Sequence, residues 1–127
     1  MRGLLDTSVF IAGERERPLQ VDRLPDEAAV SVVTIAELHL GVHMAADEGV
    51  RAKRLDTLRA VQTTYVALPI DDAVAAAFAE LVATARRAGH RPKVQDTWIA
   101  ATARAHGVAV YTQDSDFDDL AIDVEQV

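Results

Sequence analysis

The chain has 127 residues, half of them hydrophobic, and its 20 acidic and 13 basic side chains give a formal charge of −7. That length suits one domain with a substantial core, spanning residues 1–127, and the negative balance excludes a protein that binds nucleic acid simply by being basic overall. Cysteine is absent, which excludes disulfides and thiolate metal sites, and without a basic leader or a long apolar run a soluble, cytoplasmic protein with no membrane partner is expected.

Leu4 and Leu5 make a short apolar run suited to a buried parallel strand, and Val9, Phe10 and Ile11 supply the inner side of a helix that Thr7 or Ser8 can cap. Asp6 then lies at the strand's carboxyl end, where open α/β sheets bind their ligands. Taken alone, Asp6 reads as a helix cap. Glu14 to Gln20 is a charged surface segment, and Pro18 and Pro25 punctuate the way to a second strand over Ala28–Val33. Thr34 is expected to cap the next helix, which runs toward Met44 with Ile35, Leu38 and Val42 inward and Glu37 in its first turn. His39 and His43 share that helix at a metal-compatible spacing. They lack the glutamate of a zinc-protease motif and an obvious third ligand, so exposed helix histidines are the better reading.

A charged helix from Asp47 to Thr63 forms a hairpin with it, burying Val50, Leu55, Leu58 and Val61, while Val42, Met44 and Leu58 are also candidates for a partner contact. Tyr65–Ile70 reads as a short strand, and Asp71-Asp72 open a strongly periodic helix that ends at Gly89. Arg86, Arg87, His90, Arg91 and Lys93 make a basic run just before Asp96, which starts a helix closed by Gly107. Val108–Thr112 is the clearest strand, and Asp114 and Asp116 follow it at once in a turn-rich segment. The last strand is expected at Ala121–Val124.

Strands alternating with helices predict an α/β domain with a central parallel sheet of four to five strands and helices on both faces. Aligned strands would carry Asp6, Glu37, Asp96, Asp114 and Asp116 to one rim, which accounts for five of the seven net negative charges. Four ionised carboxylates about 5 Å apart at an effective dielectric near 20 repel by roughly 20 kcal/mol in total, more than the roughly 5–15 kcal/mol that stabilises a small domain. Protons or cations must relieve that repulsion. All-oxygen ligands without cysteine favour Mg²⁺ or Mn²⁺, and such an ion can activate water and polarise a phosphodiester. Arg91 and Lys93 could contact phosphate beside the acids, keeping substrate attraction local.

Four segments in order, Leu4-Leu-Asp-Thr-Ser-Val9, Ser31-Val-Val-Thr-Ile-Ala-Glu-Leu38, Asp96-Thr-Trp-Ile-Ala-Ala101 with Ala103 to Gly107, and Thr112-Gln-Asp-Ser-Asp-Phe117, resemble the PIN-domain ribonucleases. The likeness is greatest to the VapC-type toxins of bacterial toxin–antitoxin pairs. The resemblance implies a metal-dependent endoribonuclease acting on structured RNA such as transfer RNA. It carries catalytic and metal-binding roles onto Asp6, Glu37, Asp96 and Asp114, makes Asp116 an additional or alternative acid, and makes Ser8 and Thr112 hydroxyl supports. It also implies a homodimer and silencing by a cognate VapB-type antitoxin in a hetero-oligomer.

Other readings fare worse. A phosphoacceptor receiver would need a lysine near its last strand, and none follows Lys93; a haloacid-dehalogenase-like phosphatase would carry Asp where Ser8 stands. A noncatalytic interaction module on the same fold, or an RNA-processing nuclease outside any toxin pair, remains the alternative.

Overall fold

The computed structural model describes residues 1–127. Five strands, β1 (Arg2–Leu5), β2 (Glu27–Ser31), β3 (Ala67–Leu68), β4 (Ala109–Thr112) and β5 (Val124–Gln126), form one sheet in the order β3-β2-β1-β4-β5. Every neighbouring pair is parallel. Around it lie α1 (Thr7–Phe10), α2 (Val32–His43), α3 (Glu48–Thr64), α4 (Asp72–Arg87) and α5 (Val94–Ala105).

Successive strand residues point to opposite faces, and the core divides accordingly. Leu4 and Val110 join Val74, Leu81, Ile99 and Phe117 beneath α4 and α5. Their neighbours Leu5 and Tyr111 join Val9, Leu38, Leu58 and Val61 beneath α1, α2 and α3. The central strands β1 and β4 therefore carry unbroken apolar pairs, Leu4-Leu5 and Val110-Tyr111, because both their faces are covered. Gly3 is fixed by close approach: a Cβ there would collide with the Tyr111 ring. Gly107 closes α5 at φ +65°, the left-handed conformation that glycine adopts without a steric penalty.

Several boundaries differ from the sequence expectation. Ser31, not Thr34, caps α2, its Oγ accepting from Val33 N at 3.0 Å. The helix thus begins at Val32, and Glu37 falls in its second turn. Asp6 itself caps α1 in place of Thr7 or Ser8. The strand expected at Ala121–Val124 is shifted to Val124–Gln126, pairing Val110 with Val124 and Thr112 with Gln126. Tyr65–Ile70 narrows to two paired residues. Leu58 is buried and is removed from the candidate partner contacts, whereas Leu40 on α2 and Met44 at its C-cap stand 60% and 72% exposed.

The chain leaves β1 toward β2 on one side and returns through β4 on the other, so the sheet order reverses between β1 and β4. That reversal opens a crevice beyond their carboxyl ends.

Candidate active site

Asp6 and Thr112 follow from this register. Leu5 pairs with Tyr111, and Asp6 N donates to Tyr111 O at 2.9 Å, so the next side chains meet at the crevice floor. Thr112 Oγ1 donates to Asp6 Oδ2 at 2.9 Å, and Ser8 N reaches the same oxygen at 3.3 Å. Thr112 has a single hydroxyl proton and gives it to Asp6, so its oxygen accepts from Asp114 N at 3.0 Å and from Ser8 Oγ at 3.1 Å. Ser8 Oγ in turn accepts from Gln113 N at 3.0 Å. The two hydroxyls orient one carboxylate and bind the β4 exit loop to α1. Burial raises the Asp6 carboxyl above its ordinary range, opposed by the donors from Ser8 and Thr112.

Glu37 reaches the crevice from α2. Thr7 Oγ1 donates to its Oε1 at 2.8 Å and lies 3.0 Å from the buried Thr34 hydroxyl. Desolvation raises Glu37, with the Asp6 charge adding to the effect. Asp96 enters from the first turn of α5, whose cap position is Lys93. Its Oδ2 is buried and has no hydrogen-bond partner. Desolvation, then the charges of Asp6, Asp116 and Glu37, push Asp96 up to about 6.

The two remaining acids are differently placed. Arg15 Nη1 lies 3.2 Å and Arg17 Nη1 3.0 Å from Asp114 Oδ1, and Arg17 also donates to Gln113 O. Asp116 accepts from Lys93 Nζ at 3.3 Å, a contact that raises the lysine. Much of the expected repulsion is therefore relieved by the chain's own cations. Lys93 faces the acids directly; Arg91 instead lines a cavity with Arg86 between α4 and α5.

No three carboxylate or imidazole groups are set to close on one ion by direct ligation, and His39 and His43 are both exposed. The donor chemistry still fits a hard divalent cation. Mg²⁺ keeps several waters and takes one or two carboxylates plus substrate oxygens, and the orphaned Asp96 Oδ2 beside a fixed Asp6 is a buried acceptor lacking a positive partner.

Sequence reasoning missed Thr7, Arg15, Arg17 and Gln113. Gln113 Nε2 donates to Arg17 O at 3.0 Å and Pro18 O at 3.3 Å, holding the charged segment against the site. The alternating Glu-Arg-Glu-Arg signs were the one available signal, and they are equally typical of a solvated loop.

A parallel sheet with carboxylates gathered at its topological reversal defines a class of acidic-site α/β domains, and known proteins narrow it. The PIN domain matches residues 3–123, and the chain belongs to that family. It is 46% identical to Ribonuclease VapC5 of Mycobacterium tuberculosis, over 91% of this chain and 84% of that protein. It is 48% identical to Ribonuclease VapC4 of the same organism, over 91% and 88%. The crystal structure of VapBC-5, a toxin–antitoxin system of M. tuberculosis, superposes with TM-score 0.88 at 43% identity, covering 99% of this chain and 97% of that one.

Proposed function

We propose that the protein is the toxin of a toxin–antitoxin pair, an endoribonuclease that hydrolyses RNA phosphodiester bonds with a divalent metal ion, Mg²⁺ or Mn²⁺. The observation that carries the reading is the buried, unpartnered Asp96 Oδ2 beside the hydroxyl-fixed Asp6. The names of the relatives VapC5 and VapC4 supply the reaction class.

Asp6, Asp96 and Glu37 would hold the ion, hydrated rather than directly ligated by all three. When bound, it lowers the pKa of attacking water and stabilises the leaving oxygen. Thr112 and Ser8 keep Asp6 from rotating away, and Thr7 holds Glu37 Oε1 so that its other oxygen can accept the water's proton. Asp114 and Asp116 act as counter-ions that place Arg15, Arg17 and Lys93 at the rim, where these cations meet the substrate backbone. Both acids could also take part in holding the metal without losing these contacts, since a carboxylate has two oxygens and Lys93 engages only Oδ2 of Asp116.

A VapB-type antitoxin is the partner, a reading supported by the likeness to the VapBC-5 toxin–antitoxin system, and the exposed Leu40 on α2 and Met44 at its C-cap offer it an apolar anchor. The active assembly is a homodimer, joined by the antitoxin into a hetero-oligomer, and structured RNA such as transfer RNA is the substrate. No helix is long and apolar enough to cross a membrane.

The deciding experiment maps RNA ends after incubation with partner-free protein and Mg²⁺ or Mn²⁺, with EDTA and Asp6→Asn as controls. Discrete new ends that vanish in both controls are expected. Their absence on every structured RNA, from a folded preparation, would replace the nuclease by an interaction module.

A further inference from the structure

Between α4 and α5 lies an open cavity of 640 Å³, separate from the carboxylates. Phe78 and Val82 from α4 and Val94 and Thr97 from α5 line it, with Arg86 at the end of α4 and Arg91 in the following loop. Neither arginine forms an ion pair. In a chain with seven more acids than bases, two unpaired guanidiniums converging on one concavity mark a place for an external anion. Phe78, Val82, Pro92 and Val94 make an apolar side to the wall, and His90, 3.7 Å from Asp119, and Thr97 are its other polar members. Phe78 stacks on Trp98 with ring centroids 3.7 Å apart, and Val94 is 60% exposed. An inorganic anion would leave that wall unused, whereas a nucleotide brings a phosphate for the arginines and a flat base for the aromatic and aliphatic side.

One stretch of chain, Arg91 to Thr97, joins the cavity wall to the acidic rim. Arg91 is two residues from Lys93, which contacts Asp116, and Thr97 on the cavity wall adjoins Asp96. We propose that this cavity is an RNA subsite that receives an unstacked nucleotide flanking the scissile bond, its phosphate on Arg86 and Arg91 and its base on Phe78 and Val82. The inference rests on the ribonuclease reading and adds to it where the flanking strand runs.

Trp98 is the single tryptophan of the chain and is stacked on a residue of the cavity wall, so its emission reports occupancy. Full-length Asp6→Asn protein titrated with a single-stranded oligoribonucleotide of mixed sequence should show a saturable change in that emission. Adding Arg86→Gln and Arg91→Gln should abolish the change, weaken binding by about an order of magnitude, and flatten the slope of log affinity against log salt by about 1.4. Arg59→Gln, which removes an unpaired arginine of α3, should alter none of the three. Equal affinity and slope in the double variant, verified as folded by circular dichroism, would overturn the subsite. So would an emission change that follows protein concentration rather than RNA, since that places a second copy of the chain in the cavity. Cleavage without any RNA-dependent change at Trp98 sinks the subsite and spares the nuclease; a wild-type chain that neither binds nor cleaves RNA sinks both.

Discussion

Asp96 sets the electrostatic problem at the level of single residues. Its carboxyl is raised from 3.8 to about 6, so without metal the folded chain takes up its proton more readily than the unfolded chain does. Stability from this group is therefore lost at neutral pH and gained as pH falls through about 6 toward the unfolded value near 4. Replacing Asp96 by Asn removes the penalty. In EDTA near pH 7.5, Asp96→Asn should be more stable than the wild type by about 1–2 kcal/mol, a figure reduced for partial solvent exposure. The gap should close toward pH 4.5 in denaturant titrations, and in a separate assay with Mg²⁺ the variant should not cleave RNA. A variant less stable than wild type at neutral pH would mean that the orphaned oxygen has a partner after all. Thr112 behaves oppositely. Thr112→Val keeps the shape but removes the donor to Asp6 and the acceptor for Asp114 N, and should cost about 1–3 kcal/mol. Equal melting of this variant and wild type would show that the hydroxyl network is dispensable.

Elements explain which features the sequence disclosed. Leu4-Leu5 and Val110-Tyr111 were legible as strands because burial on both faces leaves an unbroken apolar signature; Asp6 and Thr112 stand at such a strand's end, and Asp96 opens a helix that Gly107 closes. The start of α2 was not. Ser31, Thr34 and the valines between them are compatible with either a longer strand or an earlier helix, and only pairing with β1 and β3 decides, since β2 ends at Ser31. Ser31→Ala should therefore destabilise the fold by about 1 kcal/mol through the lost cap, measurable as a shifted denaturation midpoint with unchanged slope; no shift would return the cap to Thr34. The Arg15 and Arg17 contacts lie in the same category of hidden facts. They join a loop to Asp114 across 99 and 97 residues of sequence, and no local pattern encodes that closure. Gly3 was equally silent, since nothing near it announces the Tyr111 ring across the β1–β4 pair.

The whole molecule must hold acids from β1, α2, α5 and the β4 exit loop together at a formal charge of −7. Its own guanidiniums and Lys93 neutralise Asp114 and Asp116, leaving Asp6, Glu37 and Asp96 all raised by burial and without a cation in contact. An ion that binds only the folded chain stabilises it by mass action. Millimolar Mg²⁺ should accordingly raise the melting temperature more than NaCl of the same ionic strength, because salt only screens whereas a bound ion removes the desolvated repulsion. Protons compete for the same oxygens, so the Mg²⁺-specific increment should be largest above the Asp96 value of about 6 and shrink below it. Asp6→Asn and Asp96→Asn should each lose the increment while retaining the response to NaCl. The mutation and the pH axis thus test the same assignment independently: an Mg²⁺ increment that persists in both variants, or that is flat across pH 5 to 8, would place the ion away from these carboxylates.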